Sequence, residues 1–299
     1  MPPSPQCIAL PAPAKVNLTL DVLARRPDGY HELETIMHQV DLCDFVEVSL
    51  GGEGVRVEVD HPGVPGGEAN LAWQAAHAFM EAAGVTQGVR VSIAKRIPVA
   101  AGLAGGSTDA AAVIKGLNRL LGCDFDLRRL CDIGATIGSD VPFCIAGGTV
   151  LARGRGERLE PLATRLTLHL VLVTPPVQVS TREVYARLQL DAIRRRPDRG
   201  AVARGLATGD LAAVCAGMEN VLEPVTTALC PQVAEIAGRL RQEGALRAMM
   251  SGSGPTVMGV FAEAGEAQRA CAIMEQYRYA AFAVKSWGED GGLACLKPS

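Results

Sequence analysis

The residues of this chain that are best suited to chemistry lie in a run of small side chains. The segment from Pro98 to Ala112 reads PVAAGLAGGSTDAAA and runs into a stretch that predicts a helix. The start of a helix has unpaired backbone N–H groups and a positive dipole end, and glycine lets a polyphosphate approach the backbone closely. Ser107 and Thr108 add hydroxyl groups that suit a phosphate or a Mg²⁺ ion. The segment therefore predicts a phosphate-binding loop, called the phosphate loop below.

The phosphate loop differs from two familiar nucleotide-binding patterns. No lysine follows its glycines as in G-x-x-x-x-G-K-[ST], and Gly102 does not begin a G-x-G-x-x-G pattern. A tight loop before a well-packed helix is the alternative interpretation. A second segment, Ser251–Thr256 (SGSGPT), is called the C-terminal glycine loop. Taken alone it indicates only a turn, so it matters for function only if it faces the phosphate loop.

The helices and strands predicted in the first half of the chain must position the phosphate loop. Asn70 and Gly84 are suitable caps for a helix over Leu71–Ala83, and Gly122 ends the helix predicted from Thr108 to Leu121. Asp126 is a suitable cap for a further helix to about Ile137, before a turn at Gly138–Asp140. Residues 8–22 contain short apolar runs around a polar cluster, Lys15 and Asn17, and strands are predicted at 89–94 and 148–153. Gly51-Gly52, between alternating segments at 45–50 and 55–59, predicts a hairpin.

The second half predicts strands and helices in an order that suggests an α+β sandwich. Strand 168–174 is followed by a helix from the capping box Ser180–Glu183 to about Leu190, and by helices near 201–207, 211–216 and 231–243. Strands 246–250 and 256–261 flank the C-terminal glycine loop, and helix 265–277 and strand 280–285 follow. We place the boundary between two domains at the loop Gly154–Glu157, giving residues 1–155 and 156–299.

The composition argues against several classes of protein. A formal net charge of −3 does not suit binding to nucleic acid, and Arg194–Arg196 is interpreted as a solvated helix end rather than a phosphate contact. The nine cysteines include no C-x-x-C pair and are expected to be reduced, and the five histidines lack zinc-ligand spacing. The first residues, Met1–Pro5, lack a signal-peptide pattern, and no apolar run would span a membrane. We therefore expect a cytoplasmic protein.

Five motifs in order along the chain resemble the GHMP kinase family. They are Pro13–Leu18 (PAKVNL), Gly29–Leu33 (GYHEL), the phosphate loop, Gly138–Phe143 (GSDVPF) and the C-terminal glycine loop. Within that family, the second and fourth motifs are similar to those of kinases that phosphorylate the 2-hydroxyl of a cytidine-diphosphate-linked methylerythritol, in the non-mevalonate pathway to isoprenoids. The resemblance extends from about Ala12 to Phe261.

The resemblance implies a fold and a reaction. The fold is α+β, with an N-terminal domain like the second domain of ribosomal protein S5 and a ferredoxin-like C-terminal domain. The reaction transfers the γ-phosphoryl group of ATP, with Mg²⁺, and gives catalytic roles to Lys15 and Asp140. A carboxylate can accept the proton of an attacking hydroxyl, and an ammonium can stabilise the charges that develop. An ordinary Lys–Asp ion pair is the alternative.

The resemblance also assigns binding residues. For ATP they are Asn70, Lys95, Pro98, Ala101, Gly102, Leu103, Ala104, Gly105, Gly106, Ser107 and Thr108. For the acceptor they are Asn17, Tyr30, His31, Thr181, Tyr185, Gly252, Ser253 and Gly254, with Tyr30 and Tyr185 expected to enclose a cytosine ring. A helix cap, a surface charge and simple packing are the alternatives for Asn70, Lys95 and Tyr185. No residue is assigned as a metal ligand.

The phosphate loop departs from the family pattern at three alanines where glycine is frequent: Ala100, Ala101 and Ala104. Either these residues have negative φ, or the loop has a different shape. Two other functions compete with the one implied. A GHMP kinase for homoserine or mevalonate would have no use for Tyr30, His31 and Tyr185, and a non-catalytic nucleotide-binding module could dispense with Lys15 or Asp140. The oligomeric state stays open between a monomer and a weak dimer.

Overall fold

The fold is seen in a computed structural model, which describes residues 7–288. Met1–Pro5, Cys295 and the outer ends of both proposed domains lie outside that range. A short 3₁₀ turn occurs at Leu190–Ala192. In chain order the strands and helices are β1 (Cys7–Arg25), β2 (His31–Leu50), β3 (Val55–Val59), α1 (Leu71–Ala83), β4 (Val89–Ala94), α2 (Gly105–Leu121), α3 (Leu127–Ala135), α4 (Val141–Ala146), β5 (Thr149–Gly154), β6 (Arg158–Pro161), β7 (His169–Thr174), α5 (Thr181–Arg187), α6 (Arg199–Thr208), α7 (Leu211–Gly217), α8 (Glu223–Leu229), α9 (Gln232–Gln242), β8 (Arg247–Met250), β9 (Val257–Phe261), α10 (Ala264–Gln276) and β10 (Ala280–Lys285).

The first sheet is built around the long antiparallel pair β1 and β2. Its strand order is β3-β4-β2-β5-β6, with β1 also paired to β2. The β1–β2 register shifts between Pro13 and Lys15, and again between Asn17 and Thr19. Such irregularities re-aim the side chains of a strand, and these two flank Lys15 and Asn17.

The hairpin predicted at Gly51-Gly52 is wrong. β2 and β3 do not pair with each other, because β4 lies between them, antiparallel to β2 and parallel to β3. β4 has alternating buried and exposed side chains, so it contributes Val89, Val91 and Ile93 to the core. The glycine turn was a correct local signal, but a partner more than 30 residues away decided the pairing.

The helices agree with the sequence signals where caps are present. Asn70 caps α1 by accepting a hydrogen bond from the backbone N–H of Ala72, and Gly84 ends the helix in the left-handed conformation. α2 begins at Gly105, three residues before the predicted start. α3 and α5 end two or three residues before their predicted ends. The short helices α4 and α8 were not predicted.

The second sheet has the strand order β10-β7-β9-β8, and every neighbouring pair is antiparallel. Helices α5 to α9 connect β7 to β8, and α10 connects β9 to β10. This is the β-α-β-β-α-β arrangement of a ferredoxin-like domain. The α+β class predicted from the sequence is confirmed.

β1 contributes to all three hydrophobic clusters of the structure. Ala12 belongs to the cluster under the first sheet. Val16 and Leu18 belong to a central cluster that also contains Leu170 and Met258 of the second sheet. Leu20 and Val22 pack with the helices of the second half. The proposed division at residue 155 stays a prediction, and β6, beyond that residue, still pairs with β5 of the first sheet.

A buried histidine joins the two sheets. His38 of β2 lies 2.7 Å through Nδ1 from the Thr149 hydroxyl and 2.8 Å through Nε2 from the Ser286 hydroxyl. Ser286 follows β10 and forms a bridge with Val40, so the contact connects the two halves of the chain. Burial lowers the pKa of His38 to about 4 from 6.5, because a charged imidazole would lose its hydration.

We expect His38 to make stability depend on pH. Its folded pKa is below its unfolded pKa, so between pH 6.5 and 4 the unfolded chain binds more protons and the folded state loses stability as pH falls. The loss should reach about 3 kcal/mol at most. The unfolding free energy, measured with urea at several pH values in this range, should depend less steeply on pH in His38→Gln than in wild type. The exposed control His61→Gln should keep the pH dependence of wild type. An unchanged pH dependence in His38→Gln would contradict this account.

Candidate functional site

The first and second halves enclose one large cavity. Its volume is about 1360 Å³, above the roughly 300–1,000 Å³ of a pocket for one drug-sized ligand. It therefore has room for two ligands side by side. Leu103 and Thr108 do not line it. The residues assigned from the sequence that do line it are Lys15, Asn17, Tyr30, His31, Asn70, Lys95, Pro98, Ala101, Gly102, Ala104, Gly105, Gly106, Ser107, Asp140, Thr181, Tyr185, Gly252, Ser253 and Gly254.

The phosphate loop keeps left-handed positions without glycine. Ala100 has φ 55° and Ala104 has φ 59°, whereas Ala101 has no positive φ. Ala100 and Ala104 therefore do not have the negative φ that was one of the two alternatives left open by the sequence. Both alanines adopt a conformation that glycine adopts more easily, at a cost of roughly 1–2 kcal/mol each. Ala104 is also the residue from which α2 starts, so the loop delivers the helix N-terminus to the cavity.

The C-terminal glycine loop faces the phosphate loop, as its functional interpretation required. The Ser251 hydroxyl donates a hydrogen bond to the Gly102 carbonyl at 3.4 Å. The two backbones are so close that a Cβ on Gly102 would lie 2.6 Å from the Ser251 carbonyl oxygen. Ser251 also accepts a bond from the backbone N–H of Asn17 at 3.3 Å, which ties the loop to β1.

Gly102→Ala should separate the two loops. Gly102 has φ 78°, so alanine would add strain to the clash with the Ser251 carbonyl, and we expect unfolding free energy to fall by roughly 2–5 kcal/mol. Gly122→Ala is the matched control, because φ there is 60° and nothing lies within 4 Å of an added Cβ. Urea unfolding should show a loss of only about 1–2 kcal/mol for the control. Equal losses in the two variants would mean that the contact between the loops is unimportant.

Lys15 and Asp140 meet in the cavity. The Lys15 ammonium lies 3.4 Å from Asp140 Oδ2 and donates a hydrogen bond to Asn17 Oδ1 at 2.7 Å. Lys15 is buried, whereas a third of the Asp140 side chain is exposed. Asp140 precedes α4 but makes no capping hydrogen bond with its side chain. The carboxylate is therefore held from one side and open to a ligand on the other.

The Thr108 hydroxyl makes a contact within the protein, and its predicted contact with ATP stays a prediction. Its hydroxyl donates to the Pro13 carbonyl at 2.8 Å and is buried. The backbone N–H of Lys15 donates to the Leu103 carbonyl at 3.1 Å. Together these bonds fix β1 against the phosphate loop, so that Lys15 has a constant position relative to the start of α2. Of the two hydroxyls in the sequence prediction, only Ser107 reaches the cavity.

Lys95 lies below the phosphate loop between two carboxylates. Its ammonium pairs with Asp109 Oδ2 at 2.8 Å and with Asp44. Asp44 also accepts the backbone N–H groups of Arg96 and Ile97. Asp109 Oδ1 is buried without a hydrogen-bond partner among the described residues. Burial, followed by the Asp44 charge, raises the pKa of Asp109 despite Lys95. Asp44 was missed from the sequence, where it is one acid of an ordinary strand.

Aromatic side chains line a further part of the cavity, called the aromatic end below. The rings of His31 and Tyr185 have centroids 5.1 Å apart and are tilted by 32°. Tyr30 is 55% exposed and lies under the Arg155 guanidinium, with 5.0 Å to the ring centroid. The Thr181 and Ser253 hydroxyls are 2.7 Å apart, so α5 is attached to the C-terminal glycine loop. Tyr30 and Tyr185 thus reach one cavity, and a ring between them stays a prediction.

The remaining sequence predictions concern groups outside the cavity. Arg196 pairs with Asp21 and Arg195 lies 3.5 Å from Glu219, so two of the three arginines make ion pairs within the protein. The eight cysteines of residues 7–288 form no disulfide bond with one another. No cluster of three potential metal ligands occurs in that range. No helix in the described part of the chain is long and apolar enough to cross a membrane.

Comparisons with known proteins agree on one family. Residues 70–148 match the family model for the GHMP kinases N terminal domain, and residues 202–280 match the model for GHMP kinases C terminal. A 4-diphosphocytidyl-2-C-methyl-D-erythritol kinase from Syntrophomonas wolfei is 48% identical over 88% of this chain and 92% of its own length. The protein of the same name from Geobacillus thermodenitrificans is 45% identical over 96% and 99%.

Solved structures give the same result for the fold. A crystal structure of 4-(cytidine 5'-diphospho)-2C-methyl-D-erythritol kinase has a TM-score of 0.81 and 36% identity, covering 94% of this chain and 100% of that one. A homoserine kinase from Cytophaga hutchinsonii has a TM-score of 0.76 and 21% identity, covering 96% of both chains. At that identity the second likeness concerns the fold alone.

Proposed function

This chain belongs to the GHMP kinase family and is a small-molecule kinase, and we propose that it phosphorylates the 2-hydroxyl of 4-diphosphocytidyl-2-C-methyl-D-erythritol with ATP. One observation carries the proposal: the Lys15–Asp140 pair, 3.4 Å apart, opens onto the same cavity as the phosphate loop. The names of the relatives support the acceptor. The product would be the 2-phosphate in the non-mevalonate isoprenoid pathway.

Asp140 is proposed as the general base. As the acceptor oxygen bonds to the γ-phosphorus, the bond to the β-phosphate oxygen breaks, ADP leaves, and Asp140 accepts the hydroxyl proton. Asp140 suits this role because it is partly exposed and its carboxylate caps no helix. Lys15 suits the role of electrostatic partner, because its ammonium donates a hydrogen bond to Asn17 and is buried close to Asp140. It would stabilise the negative charge on the attacking oxygen.

The start of α2 is proposed to hold the phosphates of ATP. Its free backbone N–H groups at Gly105, Gly106 and Ser107 meet the cavity. Mg²⁺ usually keeps several waters and takes one or two carboxylates besides the phosphates. The Ser107 hydroxyl and the unpartnered Asp109 Oδ1 fit that requirement. When bound, the ion would neutralise charge on the transferred phosphoryl group.

The aromatic end of the cavity is proposed to hold the cytidine. Tyr30 and Tyr185 offer ring faces for a base, and His31 and Thr181 offer polar groups beside them. Aromatic stacking is the usual way to hold an extruded or free base. Asn17, Gly252, Ser253 and Gly254 line the same cavity, and Asn17 contacts Lys15, so these residues would position the methylerythritol.

A panel of acceptors tests the proposal. Purified protein with ATP and Mg²⁺ is assayed for ADP release with the cytidine-diphosphate methylerythritol, homoserine, mevalonate and galactose. We expect turnover with the cytidine compound alone. Preferred turnover of homoserine or mevalonate would keep the kinase and remove the cytidine site, and ATP binding without turnover of any acceptor would remove the proposed reaction.

A further inference from the structure

A buried carboxyl group of β2, outside the cavity, holds the segment that leads into the phosphate loop. Asp44 has none of its surface exposed. Its Oδ1 accepts hydrogen bonds from the backbone N–H groups of Arg96 and Ile97, at 2.5 and 2.8 Å. Its Oδ2 pairs with the Lys95 ammonium. Asp44 therefore fixes both the backbone of this segment and the side chain of Lys95.

The Lys95 ammonium reaches from this segment to the start of α2. A Cβ added to Gly105, the first residue of that helix, would lie 3.2 Å from Lys95 Nζ. The same ammonium pairs with Asp109 Oδ2 at 2.8 Å. The Lys95 side chain is only 5% exposed, so little water competes with its two carboxyl partners. Lys95 thus connects Asp44 to Asp109 beside the helix N-terminus that is proposed to hold the phosphates.

The two oxygens of Asp109 have different surroundings. Oδ2 is occupied by Lys95, whereas Oδ1 is buried and has no hydrogen-bond partner within residues 7–288. Asp109 lines the cavity, two residues after Ser107. A buried carboxylate oxygen without a partner costs free energy unless a ligand completes it. A divalent cation that arrives with the phosphates has the charge and the ligand preference to do so.

Asp44 determines how much of the Lys95 ammonium is available to Asp109. With Asp44 present, the ammonium is shared between two carboxyl groups. Without the Asp44 charge, the ammonium would turn towards Asp109 and interact with both of its oxygens. A cation that approaches Asp109 Oδ1 would then meet a positive charge in place of a free carboxylate oxygen.

We propose that Asp44 is a positioning residue for the donor nucleotide, which keeps Asp109 Oδ1 free for the Mg²⁺ ion of the phosphates by holding Lys95. This inference rests on the proposed function and adds to it a residue that does not line the cavity. Groups that contact a metal-binding carboxylate orient it, and their loss usually lowers metal affinity by roughly 10–100-fold.

Calorimetric binding of a non-hydrolysable ATP analogue, once with Mg²⁺ and once with EDTA, tests the role of Asp44. Alkaline pH keeps Asp109 ionised during these measurements. Wild type should bind the analogue more tightly with Mg²⁺. Asp44→Asn keeps an oxygen for the two backbone N–H groups but loses the charge. Its Kd with Mg²⁺ should rise about tenfold, and its Kd with EDTA should equal that of wild type.

A double variant shows whether Asp44 acts through Asp109. Asp109→Asn should itself weaken binding with Mg²⁺, and the addition of Asp44→Asn should cause no further loss, because two residues of one network are not additive. Additive losses would overturn the inference, and so would a wild-type Kd in Asp44→Asn. A Kd that rises equally with Mg²⁺ and with EDTA would show a general distortion of the loop and would also overturn it.

Glu34→Gln is the matched control. Glu34 is another buried carboxylate of β2 that pairs with two cations, Arg153 and Arg199, but it does not line the cavity. Both Kd values of this variant should equal those of wild type. If urea unfolding shows that Asp44→Asn is not folded, Asp44→Ser takes its place with the same expected result, since serine also removes the charge and keeps an acceptor.

The wild-type measurements separate this inference from the proposed function. A wild type that binds the analogue with a clear preference for Mg²⁺, beside an unaffected Asp44→Asn, would leave the kinase intact and remove only the role of Asp44. A wild type that binds the analogue equally with Mg²⁺ and with EDTA would remove the magnesium site from the proposed function, and the role of Asp44 with it.

Discussion

Asp140→Asn should lower kcat by roughly 10²–10⁴-fold, the usual contribution of a general base, and leave both KM values near those of wild type. Asparagine has almost the same size but cannot take up the proton of the acceptor hydroxyl. The side chain makes no capping hydrogen bond, so the start of α4 should survive the change. Initial rates over a range of both substrate concentrations measure the two constants separately.

Asp132→Asn provides the control for Asp140→Asn. Asp132 is exposed on α3 and makes no ion pair with a described residue. Its kcat should equal that of wild type. A wild-type kcat in Asp140→Asn would exclude proton transfer to this carboxylate. A raised KM with normal kcat would instead make Asp140 a residue that only binds the acceptor.

Lys15→Met should lower kcat by roughly 10²–10³-fold, the effect of removing one group that stabilises a developing negative charge. Methionine fills most of the buried space without the ammonium. The change also leaves Asn17 Oδ1 without its donor and Asp140 without its partner. We therefore expect a loss of about 1–3 kcal/mol in unfolding free energy as well.

Two measurements together distinguish chemistry from folding in Lys15→Met. Urea unfolding shows whether the protein is folded under assay conditions, and kcat of the folded protein then reports the missing charge. Lys285→Met is a suitable control, because Lys285 is exposed and does not line the cavity. A folded Lys15→Met with wild-type kcat would reduce the pair to an ordinary ion pair.

The sequence predicted the helices and strands whose ends are marked by capping or turn residues. α1 was bounded correctly because Asn70 and Gly84 terminate it, and β10 because its segment is short and distinct. Pairing was harder: the turn at Gly51-Gly52 indicated a hairpin that β4 in fact interrupts. A strand can be recognised from its own residues, whereas its neighbours depend on contacts distant in sequence.

The same distinction applies to the site. The phosphate loop, Lys15 and Asp140 could be proposed from the sequence because their motifs are local or familiar, and the structure brings them to one cavity. The task of the Thr108 hydroxyl could not be predicted, because its acceptor at Pro13 is 95 residues away. Asp44 and Arg155 also lacked a local sequence signal. Asp44 matters because it pairs with Lys95, and Arg155 because it lies over the Tyr30 ring. Residues that act through a distant partner appear ordinary until the chain is folded.

The three-cluster packing of β1 has a consequence for the order of events during synthesis. β1 is synthesised before the other described strands, and its Val16 and Leu18 pack in a cluster that also contains Leu170 and Met258 from the second half of the chain. The inward-facing side chains of β1 therefore lack part of their packing partners until most of the chain has been synthesised. The two halves should consequently melt together in one transition. Fragments cut near residue 155 should each expose an unfinished apolar surface and associate with other chains.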